Sequence, residues 1–204
     1  MTGTKPIDAV AMNRSFFQRS APLVAQELLG KVLVHQTPQG PCGGIIVETE
    51  AYDESDPASH SCHGQTKRNQ MMFGAGATSY VYRCYGAHWC FNISVGKVGY
   101  GAAVLIRAIE PSIGIEEMLK RRRASLSNCG IRDIARGPGR LCQAMGIDFS
   151  HNGLDLLEEP LTVSSPKGFR RPESIASPRI GISKAINVPW RFYVRNNSFV
   201  SSPK

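Results

Sequence analysis

The chain has 204 residues, 42% hydrophobic and 20% charged, the composition of an ordinary soluble globular protein with enough length for one core. No apolar run reaches the ~18–20 residues that span a bilayer, and the opening MTGTKPIDAVAMNRSFF lacks the apolar region of a signal peptide; no membrane partner is expected, and a cytoplasmic (bacterial nucleoid) protein, or a nuclear one if eukaryotic, is expected. Lys and Arg outnumber Asp and Glu 24 to 16, and the net charge of +8 suits a polyanion such as DNA, RNA or acidic lipid.

Residues 1–15 read as a flexible N-terminal tail and residues 16–204 as a single domain. The stretch Ser20–Gly30 predicts a short helix: a Ser cap, Pro22 in the first turn, Leu23, Val24 and Leu28 on one side, and a terminating glycine. Lys31–His35 and Gly44–Tyr52 are rich in Val and Ile and predict strands. Residues 53–78 form a long polar loop, of a length that in compact domains is functional or disordered. Tyr80–Tyr85 and Trp89–Ser94 predict a hairpin turning at Gly86-Ala87-His88, and Ala102–Ile109 a strand closed by Glu110-Pro111. Ile113–Arg123 is an amphipathic helix ending in cations, and a further helix starts at Gly137-Pro138 and runs to Met145. Residues 150–175 are turn-rich, and Arg179–Ser183 and Arg191–Arg195 predict two closing strands. The fold class expected is α/β of the α+β type: a mixed, mostly antiparallel curved sheet with flanking helices and a protruding aromatic β-hairpin.

Two segments carry the chemistry. In IVETEAY the period of a strand places Glu48, Glu50 and Tyr52 on one face, either a solvent-facing edge or a carboxylate base beside an aromatic wall. In SYVYRCYGAHWCFN six aromatic or histidine side chains fall within a dozen residues, and Tyr85 sits at the turn, where a core residue is not expected. An aromatic there suits a wedge between base pairs, and a flat aromatic pocket suits a flipped base. His60 and His63 in the long loop lack the H-x-E and P-C-x-x-C pattern of zinc deaminases, and the six scattered cysteines show no CxxC pair, so no metal site is expected.

Taken in order, ELLGKVLV, VETEAY, DPASH, TKRNQMMF, SYVYRCYG, WCFNIS, VLIRAIEP, GPGRLCQAMGI, RIGIS and RFYVR resemble the alkyladenine (3-methyladenine) DNA glycosylase family over roughly residues 20 to 197. The resemblance implies a glycosylase that flips an alkylated purine from double-stranded DNA and hydrolyses its glycosidic bond; no lysine in these motifs offers a Schiff-base nucleophile, so a monofunctional enzyme is expected, acting as a monomer with no cofactor and no metal. It selects Glu50, rather than Glu48, as the residue that deprotonates water. It implies that Tyr52 and Tyr82 sandwich the base, that His60 contacts the base or adjacent backbone, and that Tyr85 fills the gap in the duplex. Asn92 would crowd a guanine 2-amino group, and Arg107 would lie near the lesion's phosphate or the water. A non-catalytic nucleic-acid-binding protein shares the basic surface and hairpin but leaves the glutamate pair unexplained. A carbohydrate-active hydrolase would need carboxylates across a cleft rather than two residues apart on one strand.

Overall fold

In a computed structural model, residues 8–123 and 128–201 are described. Among them the elements run β1 (Ala9–Ala11), α1 (Arg14–Phe17), α2 (Ala21–Glu27), β2 (Val32–Thr37), β3 (Gly40–Asp53), β4 (Ser79–Cys84), β5 (His88–Ser94), β6 (Ala102–Ile113), α3 (Ile115–Arg123), α4 (Pro138–Met145), β7 (Leu161–Pro166), β8 (Ser174–Ser177) and β9 (Arg191–Val194), with 3₁₀ turns at Gln70–Phe73, Ile131–Asp133 and Phe149–His151. The nine strands form one open, antiparallel sheet in the order β1-β7-β2-β3-β6-β5-β4, with β9 on β3 and β8 on β9. This is the α+β single domain expected, with the aromatic hairpin β4–β5 at one end of the sheet.

β3 organises everything else. Its 14 residues are shared along one edge by β2, which covers Gly40–Ile45, and by β9, which covers Glu48–Glu50; β6 runs along the other edge. Strands covered on both faces lose the alternation of a half-solvated sheet. Ile46, Val47, Glu48, Thr49, Glu50 and Ala51 are accordingly all buried, which removes the solvent-facing edge as a reading of the glutamates. The neighbours press close: a Cβ on Gly44 would lie 2.1 Å from the Glu110 carbonyl oxygen, a distance only glycine avoids. β6 does not stop at Glu110-Pro111. It continues to Ile113 through a register shift opposite Gly43-Gly44, and such a bulge tolerates the missing N–H of Pro111.

The main core lies between this sheet and the helices. Phe17, Leu28, Leu33, Ile46, Phe91, Ile106, Met118, Leu141 and Met145 belong to one buried cluster, and each such side chain contributes about 1.5–3 kcal/mol by leaving water. α2 packs on β3 and β6, and α4 on β5, β6 and α3. A smaller cluster of Met72, Phe73, Tyr80 and Ala103 lies under the long loop.

Several boundaries differ from expectation. Residues 1–7 lie outside the described residues, but the expected tail holds β1, paired with β7, and the first half of α1. The turn-rich stretch 150–175 holds β7, inserted between β1 and β2, and the start of β8. Arg179–Ser183 is not a strand: the Arg179 side chain is buried and the Ile180 N–H points to a side chain instead of a ladder partner.

Candidate active site

One cavity of about 600 Å³ is lined by Glu50, Tyr52, His60, Tyr82, Tyr85, Asn92 and Arg107, so the seven residues singled out in the sequence converge from β3, the long loop, the hairpin and β6. Adjacent antiparallel strands bring them together. Glu50 pairs with Leu105 across β3–β6, and Leu105 with Asn92 across β6–β5; Asn92 in turn pairs with Tyr80 across β5–β4.

Glu50 is wholly buried and held by two hydrogen bonds and one ion pair. The Ile180 backbone N–H donates to Oε1 at 2.8 Å, the Tyr52 hydroxyl to Oε2 at 2.9 Å, and Arg107 Nη1 lies 3.1 Å from Oε2. An ionised carboxylate accepts at about four lone-pair sites, so these donors leave room for one more hydrogen on Oε1. Glu48, also fully buried, does not line the cavity; it accepts from Arg107 Nε at 3.0 Å. The two glutamates therefore share a face, as their spacing implies, and share one guanidinium.

The aromatic walls are fixed by their own contacts. The Arg179 guanidinium lies 4.6 Å from the Tyr52 ring centroid and 5.5 Å from that of Trp190. Arg179 also pairs with buried Asp56 through both nitrogens and donates to the Ala51 carbonyl at 2.9 Å. Tyr82 packs edge-on against His60, with centroids 4.5 Å apart. His60 Nδ1 is 2.9 Å from the Tyr80 hydroxyl. Burial against these rings, and then the Arg68 charge, push the His60 pKa below its ordinary value, which favours a neutral imidazole at neutral pH. Burial and the neighbouring Glu50 push the Tyr52 phenol up, and burial among its neighbours raises the Cys90 thiol to about 12, so both stay protonated. Asn92 Nδ2 donates to the Tyr80 carbonyl at 3.0 Å, leaving Oδ1 as its acceptor.

The long loop that carries His60 is pinned from within. Buried Asn69 accepts from the Thr66 N–H at 2.6 Å and donates to the carbonyls of His60 and Gly64 at 2.8 and 3.0 Å. At the mouth of the cavity stand three exposed cations, Arg68, Arg83 and Lys184. Other cations of the basic runs are spent internally: Arg191 on Glu48, Arg121 on the Ala144 carbonyl and Arg132 on the Ser198 carbonyl.

Tyr85 occupies the tip of the hairpin and is 87% exposed. The Ala87 N–H bonds to the Cys84 carbonyl at 3.1 Å, closing a turn whose central residues, Tyr85 and Gly86, have φ of 49° and 66°. That is the primed geometry matching strand twist, and it suits Gly86 but costs a bulky L-residue about 1–2 kcal/mol.

Sequence reasoning missed Arg68, Arg179, Asp56 and the Ile180–Lys184 wall. The RIGIS motif was visible, but nothing local says that its second residue gives its N–H to a carboxylate 130 residues earlier. Among the described residues, no helix is long and apolar enough to cross a membrane.

The model of the family described as Methylpurine-DNA glycosylase matches residues 15–198. A protein of Granulibacter bethesdensis named "Putative 3-methyladenine DNA glycosylase" is 46% identical over 201 residues, covering 98% of this chain and 91% of its own. One of the same name from Rhodopseudomonas palustris is 46% identical, covering 98% and 93%, and one from Methanoculleus marisnigri is 45% identical, covering 92% and 96%. Together with the convergence of the motif residues on one cavity, these matches establish that the chain belongs to the methylpurine-DNA glycosylase family and is a DNA glycosylase, a hydrolase.

Proposed function

We propose that this glycosylase excises alkylated purines of the 3-methyladenine and 7-methylguanine type from double-stranded DNA, leaving an abasic site, and that Glu50 activates the water. The observation that carries the reading is a buried carboxylate with acceptor capacity left, at the side of a cavity walled by tyrosines. The damaged base, turned out of the duplex, stacks between Tyr52 and Tyr82, where a positively charged purine gains from the aromatic faces. His60, neutral at working pH, adds no repulsion to that charge. Tyr85 takes the vacated space in the helix, and Arg68, Arg83 and Lys184 meet backbone phosphates.

The alkylated base already carries positive charge and leaves as a neutral purine when its bond to C1′ breaks. The sugar passes through an oxocarbenium-like state, which the Glu50 anion stabilises electrostatically. Glu50 takes a proton from water as the oxygen bonds to C1′, and Arg107 holds the carboxylate from the side. Asn92, beside the base, crowds a 2-amino group; that penalty falls on guanine and 7-methylguanine alike, and the lesion overcomes it through its positive charge and weakened glycosidic bond. The chemistry calls on no cofactor or metal, and the enzyme acts as a monomer in the compartment that holds the DNA.

The test is release of free base from duplexes each holding one defined lesion, 3-methyladenine, 7-methylguanine, hypoxanthine or ethenoadenine, with wild type and Glu50→Gln. Wild type should release alkylated purine, and Glu50→Gln should bind the same duplex and release none. Release by Glu50→Gln at the wild-type rate removes Glu50 from the mechanism. Borohydride trapping on the same duplexes should give no covalent adduct; an adduct lost in Lys184→Ala would make the enzyme bifunctional.

A further inference from the structure

We propose that Glu48 is a positioning residue for the reaction, fixing the Arg107 guanidinium so that it touches Glu50 through one nitrogen and leaves that carboxylate free to accept a proton. The proposal rests on the reading of Glu50 as the base.

Glu48 receives four hydrogen bonds. Arg107 Nε at 3.0 Å, Arg191 Nε at 2.7 Å and the Ser201 hydroxyl at 2.8 Å reach Oε1. The Ser201 N–H reaches Oε2 at 2.7 Å. The residue is fully buried and does not line the cavity, so substrate does not reach it. It acts only through its neighbours. Two carboxylates, Glu48 and Glu50, and two guanidinium groups, Arg107 and Arg191, together form a buried set with no net charge.

The geometry of Arg107 gives the arrangement its purpose. A guanidinium prefers to meet one carboxylate with two parallel N–H bonds. Here the fork is split, Nε to Glu48 and Nη1 to Glu50. A bidentate grip on Glu50 would place a donor on each oxygen, occupy the acceptor site left for water, and weaken the carboxylate as a base. Glu48 prevents this by competing for Nε. Arg191, anchored by Glu48 and donating to the Ser201 carbonyl at 2.9 Å, fixes the competitor in turn.

The experiment measures the single-turnover excision rate at saturating enzyme, the amplitude of that phase, and the affinity for lesion duplex, in full-length protein. Glu48→Gln keeps the volume and removes the charge that competes for Arg107. The expected result is a loss of about 100-fold in the rate constant, the size produced by slight misplacement of a catalytic group, with lesion affinity unchanged. A purely structural role would lower the amplitude and the melting temperature but leave the rate constant of the folded fraction intact, and that result overturns the proposal. Ser201→Ala removes one donor from Oε1 while keeping the backbone N–H, and should show a smaller loss in the same rate constant. Should Glu48→Gln not fold, an unchanged rate in Ser201→Ala overturns the proposal. The Glu50→Gln control separates the failures: an inactive Glu50→Gln beside a fully active Glu48→Gln refutes the positioning role alone, whereas an active Glu50→Gln refutes the base and the proposal with it.

Discussion

The Tyr52 hydroxyl donates to Glu50 Oε2 at 2.9 Å, so the aromatic wall of the cavity and its buried carboxylate, two residues apart on β3, are one hydrogen-bonded unit. Tyr52→Phe keeps the ring and removes the donor. A bond to a charged acceptor is worth about 1.5–3 kcal/mol, so the excision rate should change by about tenfold or more while lesion affinity holds. Single-turnover kinetics beside equilibrium binding check this; a loss confined to binding would mean that the ring alone matters.

Tyr85 combines 87% exposure with a left-handed φ of 49°, a costly place for a large side chain. Tyr85→Gly should therefore raise stability slightly, by up to about 1 kcal/mol, and at the same time weaken binding to lesion duplex more than to undamaged duplex. Thermal unfolding and competitive binding on the two duplexes test the pair of effects. Equal losses on both duplexes would count against insertion into the helix.

Arg179 and Asp56 form a buried pair that joins the long loop to the segment donating to Glu50. Breaking a buried pair from one side leaves a lone charge and costs about 3–5 kcal/mol, whereas replacing both partners costs far less. Asp56→Ala and Arg179→Met should each lower stability by that amount, with the double variant recovering much of it. Denaturant unfolding of the four proteins gives the coupling; strict additivity would refute it.

His35 is buried, with Nδ1 donating to the Met145 carbonyl at 2.8 Å and Nε2 3.0 Å from Nε2 of His151. Burial pushes its pKa below the ordinary imidazole value; the Met145 bond and Asp148 oppose that, and His151 and Arg121 reinforce it. The folded state thus binds a proton less readily than the unfolded chain. The contribution to stability is complete above about pH 6.5 and is lost as the pH falls below it. Melting temperatures between pH 8 and 5 should decline on the acid side, and His35→Gln should flatten that decline. An identical slope in the variant would exclude His35 as its source.

How far the sequence spoke depended on the range of each interaction. The alternation of Glu48, Glu50 and Tyr52 survives in β3, and all seven site residues meet at one cavity, because strand periodicity and hairpin chemistry are local. Which glutamate faces the cavity was not readable from spacing; it followed from family resemblance, and the cavity lining independently separates the two. β7 escaped notice because six residues ending in Ser-Ser-Pro look like a turn until β1 and β2 close on either side. Ile180, Arg191 and Ser201 act on glutamates 130 to 153 residues away, and no local pattern announces such partners.

Ser201 has a consequence for how the molecule comes into being. A ribosome makes Glu48 and Glu50 early, and at that stage the edge of β3 later taken by β9 is bare. The residues that close over both carboxylates, from Ile180 to Ser201, are translated 130 to 153 residues after their partners. A nascent or prematurely terminated chain would carry the hairpin and the aromatic walls but not the completed carboxylate set. A chain cut short upstream of Ser201 therefore lacks the hydroxyl and backbone N–H that complete the set around Glu48.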